Sequence, residues 1–260
     1  MSFSDKVAIV AGGSTGIGLA TALCLAQRGA RVAICSHDAA TLEPALAQIH
    51  GEAIAVEADV ASAADMAKLV EKTVSAFGGV DYLVNSAGIQ TYGTVVDTSE
   101  ETWDRTLAVN LKGAYLAARH AIPRMIERGG GAVVNVSSVQ GLACQANVAA
   151  YAASKGALNA LTRAMALDHA RDRIRVNAVC PGSVDTPMLR RSAELFQGAG
   201  TLEATLADWG RAHPLGRIAS AAEVAEVIAF LLSDRASFMT GEIVRVDGGL
   251  LAGLPVRLPD

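Results

Sequence analysis

Short, almost wholly apolar runs recur along this chain, each followed by a longer stretch of helical composition, and no other feature restricts the fold as much. The runs are Val7–Ala11, Val32–Cys35, Ala53–Glu57, Tyr82–Asn85, Ala132–Val136, Arg175–Val179 and Ile243–Val246. Between them lie Gly16–Arg28, Thr41–Ile49, Ala63–Phe77, Thr102–Arg128, Tyr151–Ala170 and Ala222–Leu232. A strand with one wet face alternates apolar and polar residues, whereas a strand that is apolar throughout is buried on both. The expected fold is therefore α/β: a doubly wound sheet of seven mostly parallel strands with helices on both faces. No linker, repeat or low-complexity tract divides residues 1–260, so one domain is expected. At 51% hydrophobic and 18% charged residues, the chain has the apolar surface for a large core.

The net charge of −4, without a basic block, argues against a nucleic-acid partner. The four cysteines, Cys24, Cys35, Cys144 and Cys180, show no C-x-x-C spacing, and the five histidines form no H-x-x-x-H pair. Reduced thiols and no metal centre are expected. The first apolar run is too short for a signal peptide or a membrane span, so a soluble cytoplasmic protein is expected.

One stretch breaks the strand–helix rhythm. Residues 184–215 are long for a connection and are expected to carry helices at Pro187–Leu195 and Leu202–Arg211, parted by Gly198 and Gly200. Following a strand, they emerge where open α/β sheets bind ligands. A substrate lid is the expected role.

The segment VSSVQGLACQANVAAYAASKGAL at 136–158 carries the chemistry. Tyr151 and Lys155 are one helical turn apart and share a face. An ammonium beside a phenol favours the phenolate, and a hydroxyl such as Ser138, thirteen residues before the tyrosine, can hold the oxygen that exchanges the proton. Together they form an acid/base device for interconverting an alcohol and a carbonyl. Such a device needs a hydride carrier.

Val7–Ala11 runs into Gly12-Gly13-Ser14-Thr15-Gly16-Ile17-Gly18 and then a helix. Glycines let a backbone approach a pyrophosphate, and a helix N-terminus offers free N–H groups. Asp59, beside Val60, suits either an adenine amino group or the cap of the next helix. Asn85-Ser86-Ala87-Gly88 is small and polar, fit for passing a ligand or for an ordinary turn.

In order and spacing, the glycine turn, Asp59-Val60, Asn85–Gly88, Asn110, Ser138, Tyr151-x-x-x-Lys155 and Pro181-Gly182 leading to Thr186 resemble the short-chain dehydrogenase/reductase family, over essentially the whole chain. The resemblance implies a seven-stranded Rossmann-type sheet and a homotetramer or dimer. It implies that Tyr151 moves the proton, Lys155 lowers its pKa and binds the nicotinamide ribose, Ser138 holds the substrate oxygen, and Asn110 positions a relay water. Ser137 is the alternative hydroxyl. Ser14, Thr15 and Ile17 complete the glycine turn, Ala87 and Gly88 pass the coenzyme, and Thr186 with the backbone at Val184 holds the carboxamide. Ser86 and Ala11 depart from the residues usual at their positions, without touching the proton-transfer group.

Coenzyme choice turns on the end of the second strand. Ser36 stands where an acid would mark NAD, and His37 and Thr15 stand where a base would mark NADP. Asp38 next door would repel a 2′-phosphate, so NAD is preferred over NADP. The substrate site is expected to draw on Gln90, Thr91, Tyr92, Gln140, Cys144, Gln145 and Asn147, with Leu142, Met188, Leu189, Phe196 and Trp209 as an apolar wall. Amides both donate and accept, which suits a hydroxylated molecule. The expected activity is oxidation of a secondary, sugar or polyol alcohol. A 3-oxoacyl-carrier-protein reductase, docking its carrier on Arg124, Arg128, Arg163, Arg171 and Arg173, is the alternative; a dinucleotide sensor without catalysis is another. The small-residue surface of Tyr151–Ala170 suits a homo-oligomer, and the apolar tail after Gly249 is expected to dock, on its own subunit or a neighbour.

Overall fold

A computed structural model describes residues 1–253. Seven parallel strands form the sheet: β1 (Val7–Ala11), β2 (Arg31–Ser36), β3 (Ala53–Glu57), β4 (Tyr82–Asn85), β5 (Gly131–Val136), β6 (Ile174–Pro181) and β9 (Ile243–Val246). Their order is β3-β2-β1-β4-β5-β6-β9, reversing direction of growth at β1 and β4. Every pairing among them is parallel, including Val10 with Ile34 and Asn85 with Asn135. Successive residues of one strand face opposite layers, as the pleat requires. Ala8 and Val10 enter a core with α1 (Gly16–Ala26), α2 (Leu42–Gln48) and α9 (Ala221–Leu232). Val7, Ile9 and Ala11 enter the opposite core with α3 (Ala63–Phe77), α5 (Gly113–Glu127) and α6 (Ala149–Asp168). The central strands are buried on both faces, as their apolar runs foretold, whereas the edge strands β3 and β9 are only partly buried.

Two departures bear on the site. The helix expected over 102–128 is broken into α4 (Glu100–Leu107), a π-turn at Ala108–Lys112, and α5. The composition stays helical throughout, so nothing local marks the wider turn, yet it carries Asn110. The 184–215 excursion holds α7 (Pro187–Phe196) and α8 (Leu202–Arg211), each capped by a threonine hydroxyl, Thr186 and Thr201. A two-stranded ribbon closes its base, β7 (Val184–Asp185) against β8 (Ala219–Ser220). Strands of two residues have no periodicity to read.

Ser62, not Asp59, caps α3 by accepting from Asp65 N. Beyond Gly253 the apolar tail lies outside the described residues; Leu250 and Leu251, just before, line the main cavity. Among the described residues no helix is long and apolar enough to cross a membrane.

Candidate active site

A cavity of about 860 Å³ opens where β1 to β6 end, and Gly12, Ser36, Ala58, Ser86, Ser137 and Pro181 line it from those six strand ends. That is the crevice at which open parallel sheets bind ligands, at a volume suited to one coenzyme and a small substrate.

Tyr151, Lys155 and Ser138 meet in this cavity. α6 begins at Ala149, so the tyrosine sits in its first turn, and the Lys155 Nζ lies 5.7 Å from the centre of its ring. Ser138 leaves β5 and caps a short turn, its Oγ accepting from Gln140 N at 3.1 Å. The neighbouring Ser137 hydroxyl is used elsewhere, donating to the carbonyl of Lys155 at 3.2 Å. Of the two serines, Ser138 is the one whose hydroxyl draws the phenol pKa down.

The electrostatics differ from the sequence expectation. Burial pushes the Tyr151 phenol up to about 12, against a smaller downward pull from the Ser138 hydroxyl. Burial pushes Lys155 itself down to about 8, and its Nζ donates to Val136 O at 2.9 Å. In the chain alone the phenol is held neutral.

Asn110 does not line the main cavity. The side chain accepts from Ile89 N at 2.8 Å and donates to Ile89 O at 2.9 Å and Ser154 Oγ at 3.0 Å. Ser154 in turn donates to Tyr151 O at 2.7 Å. With both its N–H groups taken, the side chain braces the loop after β4 against the first turns of α6.

At the dinucleotide end, Ser14, Thr15, Gly16 and Ile17 line the cavity with Gly12. Gly18 does not line it; a Cβ there would stand 2.0 Å from Gly12 O, so Gly18 lets α1 start against the turn. Thr15 precedes α1 without capping it by a side chain, and no acid occupies its first turn. The N–H groups are thus free for an anion, and the cradle fits a pyrophosphate. At the end of β2, Ser36, His37, Asp38 and Thr41 line the cavity, Thr41 Oγ1 lying 2.8 Å from Ser14 Oγ and 3.2 Å from Ser36 Oγ. The Asp38 carboxylate is turned to Ala40 N.

Asp59 and Val60 line the cavity beside Arg105, whose Nη1 lies 3.1 Å from Asp59 Oδ2. Burial pushes the Asp59 carboxyl up, but the Ala61 amide and Arg105 together hold it below the usual carboxylate range. Ala87, Gly88, Pro181, Gly182, Val184 and Thr186 also line the cavity. Asn85 does not. It faces along the sheet, donating to Asn135 Oδ1 at 2.8 Å, while Asn135 donates to Thr162 at 2.9 Å.

At the other end Gln90, Gln140, Cys144, Gln145, Asn147, Met188, Leu189, Phe196 and Trp209 line the cavity. Two expected members are elsewhere: Leu142 is exposed, and Thr91 pairs with Thr106 at 2.9 Å. Tyr92 meets Phe196 edge-on, ring centres 4.7 Å apart, joining the β4 loop to the end of α7. The Gln140 Oε1 is buried without a partner.

A family model described as enoyl-(acyl carrier protein) reductase matches residues 11–251. The chain belongs to the short-chain dehydrogenase/reductase family. As a short-chain dehydrogenase/reductase it is a nicotinamide-dependent oxidoreductase acting on CH–OH groups. It is 40% identical to a cis-4-hydroxycyclohexanecarboxylate dehydrogenase of Sinomonas cyclohexanicum, over 96% of this chain and 98% of the relative. It is 39% identical to 2-(S)-hydroxypropyl-CoM dehydrogenase 3 of Xanthobacter autotrophicus, over 95% and 97%. Among solved structures, ligand-free aldohexose dehydrogenase of Thermoplasma acidophilum matches with a TM-score of 0.92 at 38% identity, covering 99% of this chain and 98% of that one.

Several residues of this short-chain dehydrogenase/reductase site carry no signal in the sequence. Arg105, Arg191, Ser192 and His213 all line the cavity. Arg105 belongs to an ordinary charged helix face, and only the fold brings it to Asp59. His213 is one histidine among five scattered ones.

Proposed function

We propose that this chain oxidises a secondary alcohol bearing further hydroxyl groups, of the sugar or polyol kind, to the carbonyl compound, and runs the reverse reduction. The observation that carries the reading is the convergence of Tyr151, Ser138 and Lys155 between a dinucleotide cradle and a wall of amides.

Tyr151 Oη, as the phenolate, takes the hydroxyl proton from the substrate, or, as the phenol, gives its proton to the carbonyl oxygen. Ser138 Oγ holds that oxygen by a hydrogen bond. Lys155 has three N–H donors, of which Val136 O engages one. The others serve a ribose hydroxyl and bring positive charge beside the phenol, which the burial of Tyr151 otherwise keeps neutral. The bound nicotinamide coenzyme supplies the hydride acceptor or donor. Its pyrophosphate would lie on Gly12–Ile17, its adenine at Asp59 and its carboxamide at Val184 and Thr186. NAD is the preferred form, supported by the Asp38 carboxylate at the end of β2 and by the lack of a lysine or arginine there.

The test is nicotinamide absorbance with each coenzyme against aldoses, polyols, steroids and acyl thioesters. Turnover restricted to polyhydroxylated substrates supports the reading. Preference for the thioester would replace it with the acyl reductase, which the arginines disfavour: Arg128 is paired with Asp81 and Arg124 with Glu127. Coenzyme binding without turnover on any substrate would leave a sensor. We further propose a cytoplasmic homo-oligomer with 184–215 as substrate lid. Four free cysteines, the exposed Leu167 and Phe238, and the cavity-lining residues of α7 and α8 support this.

A further inference from the structure

We infer that His213 is a positioning residue that ties the substrate wall at Trp209 to the Pro181–Val184 loop through one neutral tautomer of its ring. The ring is almost wholly buried between the end of α8, the loop after β6 and the turn after β9. Its Nε2 lies 3.1 Å from Ser183 N, and its Nδ1 lies 2.9 Å from Trp209 O. An amide can only donate and a carbonyl can only accept. Nε2 is therefore the bare nitrogen and Nδ1 carries the proton. Neither an ammonium nor an apolar side chain can make both bonds.

The loop is shaped around this ring. A Cβ on Gly182 would stand 2.6 Å from His213 Nε2, so the glycine and the histidine are a matched pair. The main chain of 213–216 is held on both sides, Leu215 N donating to Gly248 O at 3.2 Å and Gly216 N to His213 O at 2.7 Å. Moving the imidazole thus moves Ser183 on one side and Trp209 on the other. Both residues line the cavity, one at the expected nicotinamide loop and one at the substrate wall. His213 touches neither reacting atom by this geometry; it sets the separation of the two groups of residues that do. The inference rests on the proposed alcohol oxidation.

The experiment combines spectroscopy with kinetics on the full-length protein. Long-range proton–nitrogen NMR of the ring should show the Nδ1–H tautomer at pH 8; the Nε2–H form would overturn the inference whatever the activity. His213→Leu, which keeps much of the volume and loses both bonds, should lower kcat/KM for the alcohol by about tenfold to a hundredfold and enlarge the substrate deuterium isotope effect on kcat. His213→Gln, which can accept from Ser183 N, should recover most of the loss. Wild-type kinetics in His213→Leu, or equal damage in both variants, would overturn the positioning role. Should His213→Leu fail to fold, Gly182→Ala displaces the imidazole while leaving it present, and unchanged kinetics there would equally overturn it. If the unaltered protein oxidises no alcohol at all, the functional reading fails, and the tautomer still tests the contact.

Discussion

Lys155 donates to the carbonyl of Val136 at 2.9 Å, and the phenol of Tyr151, one turn earlier on the same helix face, is left to its buried surroundings. The lysine is thereby anchored to the end of β5 before any ligand arrives. Its remaining donors point to a division of labour in which the strand fixes the ammonium and the coenzyme ribose completes its shell. Removal of the phenol oxygen should then spare coenzyme binding. Tyr151→Phe is expected to lower kcat by about 10²- to 10⁴-fold, the usual share of a general acid/base. Fluorescence titration should give a coenzyme Kd within about threefold of the parent, since only the proton-transfer group is lost. A retained kcat would remove Tyr151 from proton transfer.

The same burial gives a stability signature. Between pH 8 and 10.5 Lys155 is neutral in the folded chain and protonated in the unfolded one, because burial lowers it to about 8. The unfolded state binds more protons in that window, so this group's contribution to stability grows as pH rises and is lost as pH falls through about 8. Above pH 9 the buried thiols of Cys24 and Cys35, each pushed up to about 11, act oppositely. The clean interval is therefore pH 8 to 9. Thermal unfolding midpoints of Lys155→Met should lack the rise that the parent shows across it. Parallel curves would mean that the lysine titrates normally.

The central strands were legible because burial on both faces leaves no polar residue to interrupt an apolar run, as in Val7–Ala11. The meeting of Tyr151 and Lys155 in the cavity was legible because helical spacing alone joins them. What stayed hidden depends on pairings distant in the chain. Asn85 reads as a ligand-facing strand end until β5 is known to lie beside β4, where Asn135 stands opposite and takes its amide. Arg105 reaches Asp59 only because the fold brings α4 beside the loop after β3. His213 gains its meaning from a backbone N–H thirty residues earlier.

The Ser36 position offers a direct test of coenzyme choice. Its hydroxyl accepts from Asp38 N at 3.1 Å and lies beside Thr41 and Ser14, so the pocket presents hydroxyls rather than a carboxylate. Ser36→Asp places a charge where a 2′-phosphate would lie. The ratio of kcat/KM for NAD over NADP should rise by about tenfold or more, equivalent to about 1.4 kcal/mol of discrimination. An unchanged ratio would mean that the adenosine ribose does not sit against the end of β2.

Gly18→Ala should separate coenzyme binding from the proton-transfer group. The added methyl would fall 2.0 Å from Gly12 O, so α1 must shift away from the turn. Overpacking of this kind costs about 1–3 kcal/mol, and part of it falls on the anion cradle. Coenzyme Kd is expected to rise at least about tenfold, with a lower unfolding midpoint. A variant that binds coenzyme like the parent would place the pyrophosphate elsewhere than on the start of α1.

The edge contact between Tyr92 and Phe196 joins the loop after β4 to the last turn of α7, and both rings line the cavity. An aromatic pair in this geometry is worth about 0.5–1.5 kcal/mol beyond the area it covers. If residues 184–215 act as a lid, that contact favours the closed form, and the alcohol meets it while the dinucleotide does not. Phe196→Ala should therefore raise the alcohol KM about two- to tenfold and leave coenzyme Kd unchanged. Phe196→Leu, which restores apolar bulk but not the edge contact, should recover only part of the loss. Equal effects on coenzyme and alcohol would indicate that α7 holds the coenzyme as well, and the lid would then close over both.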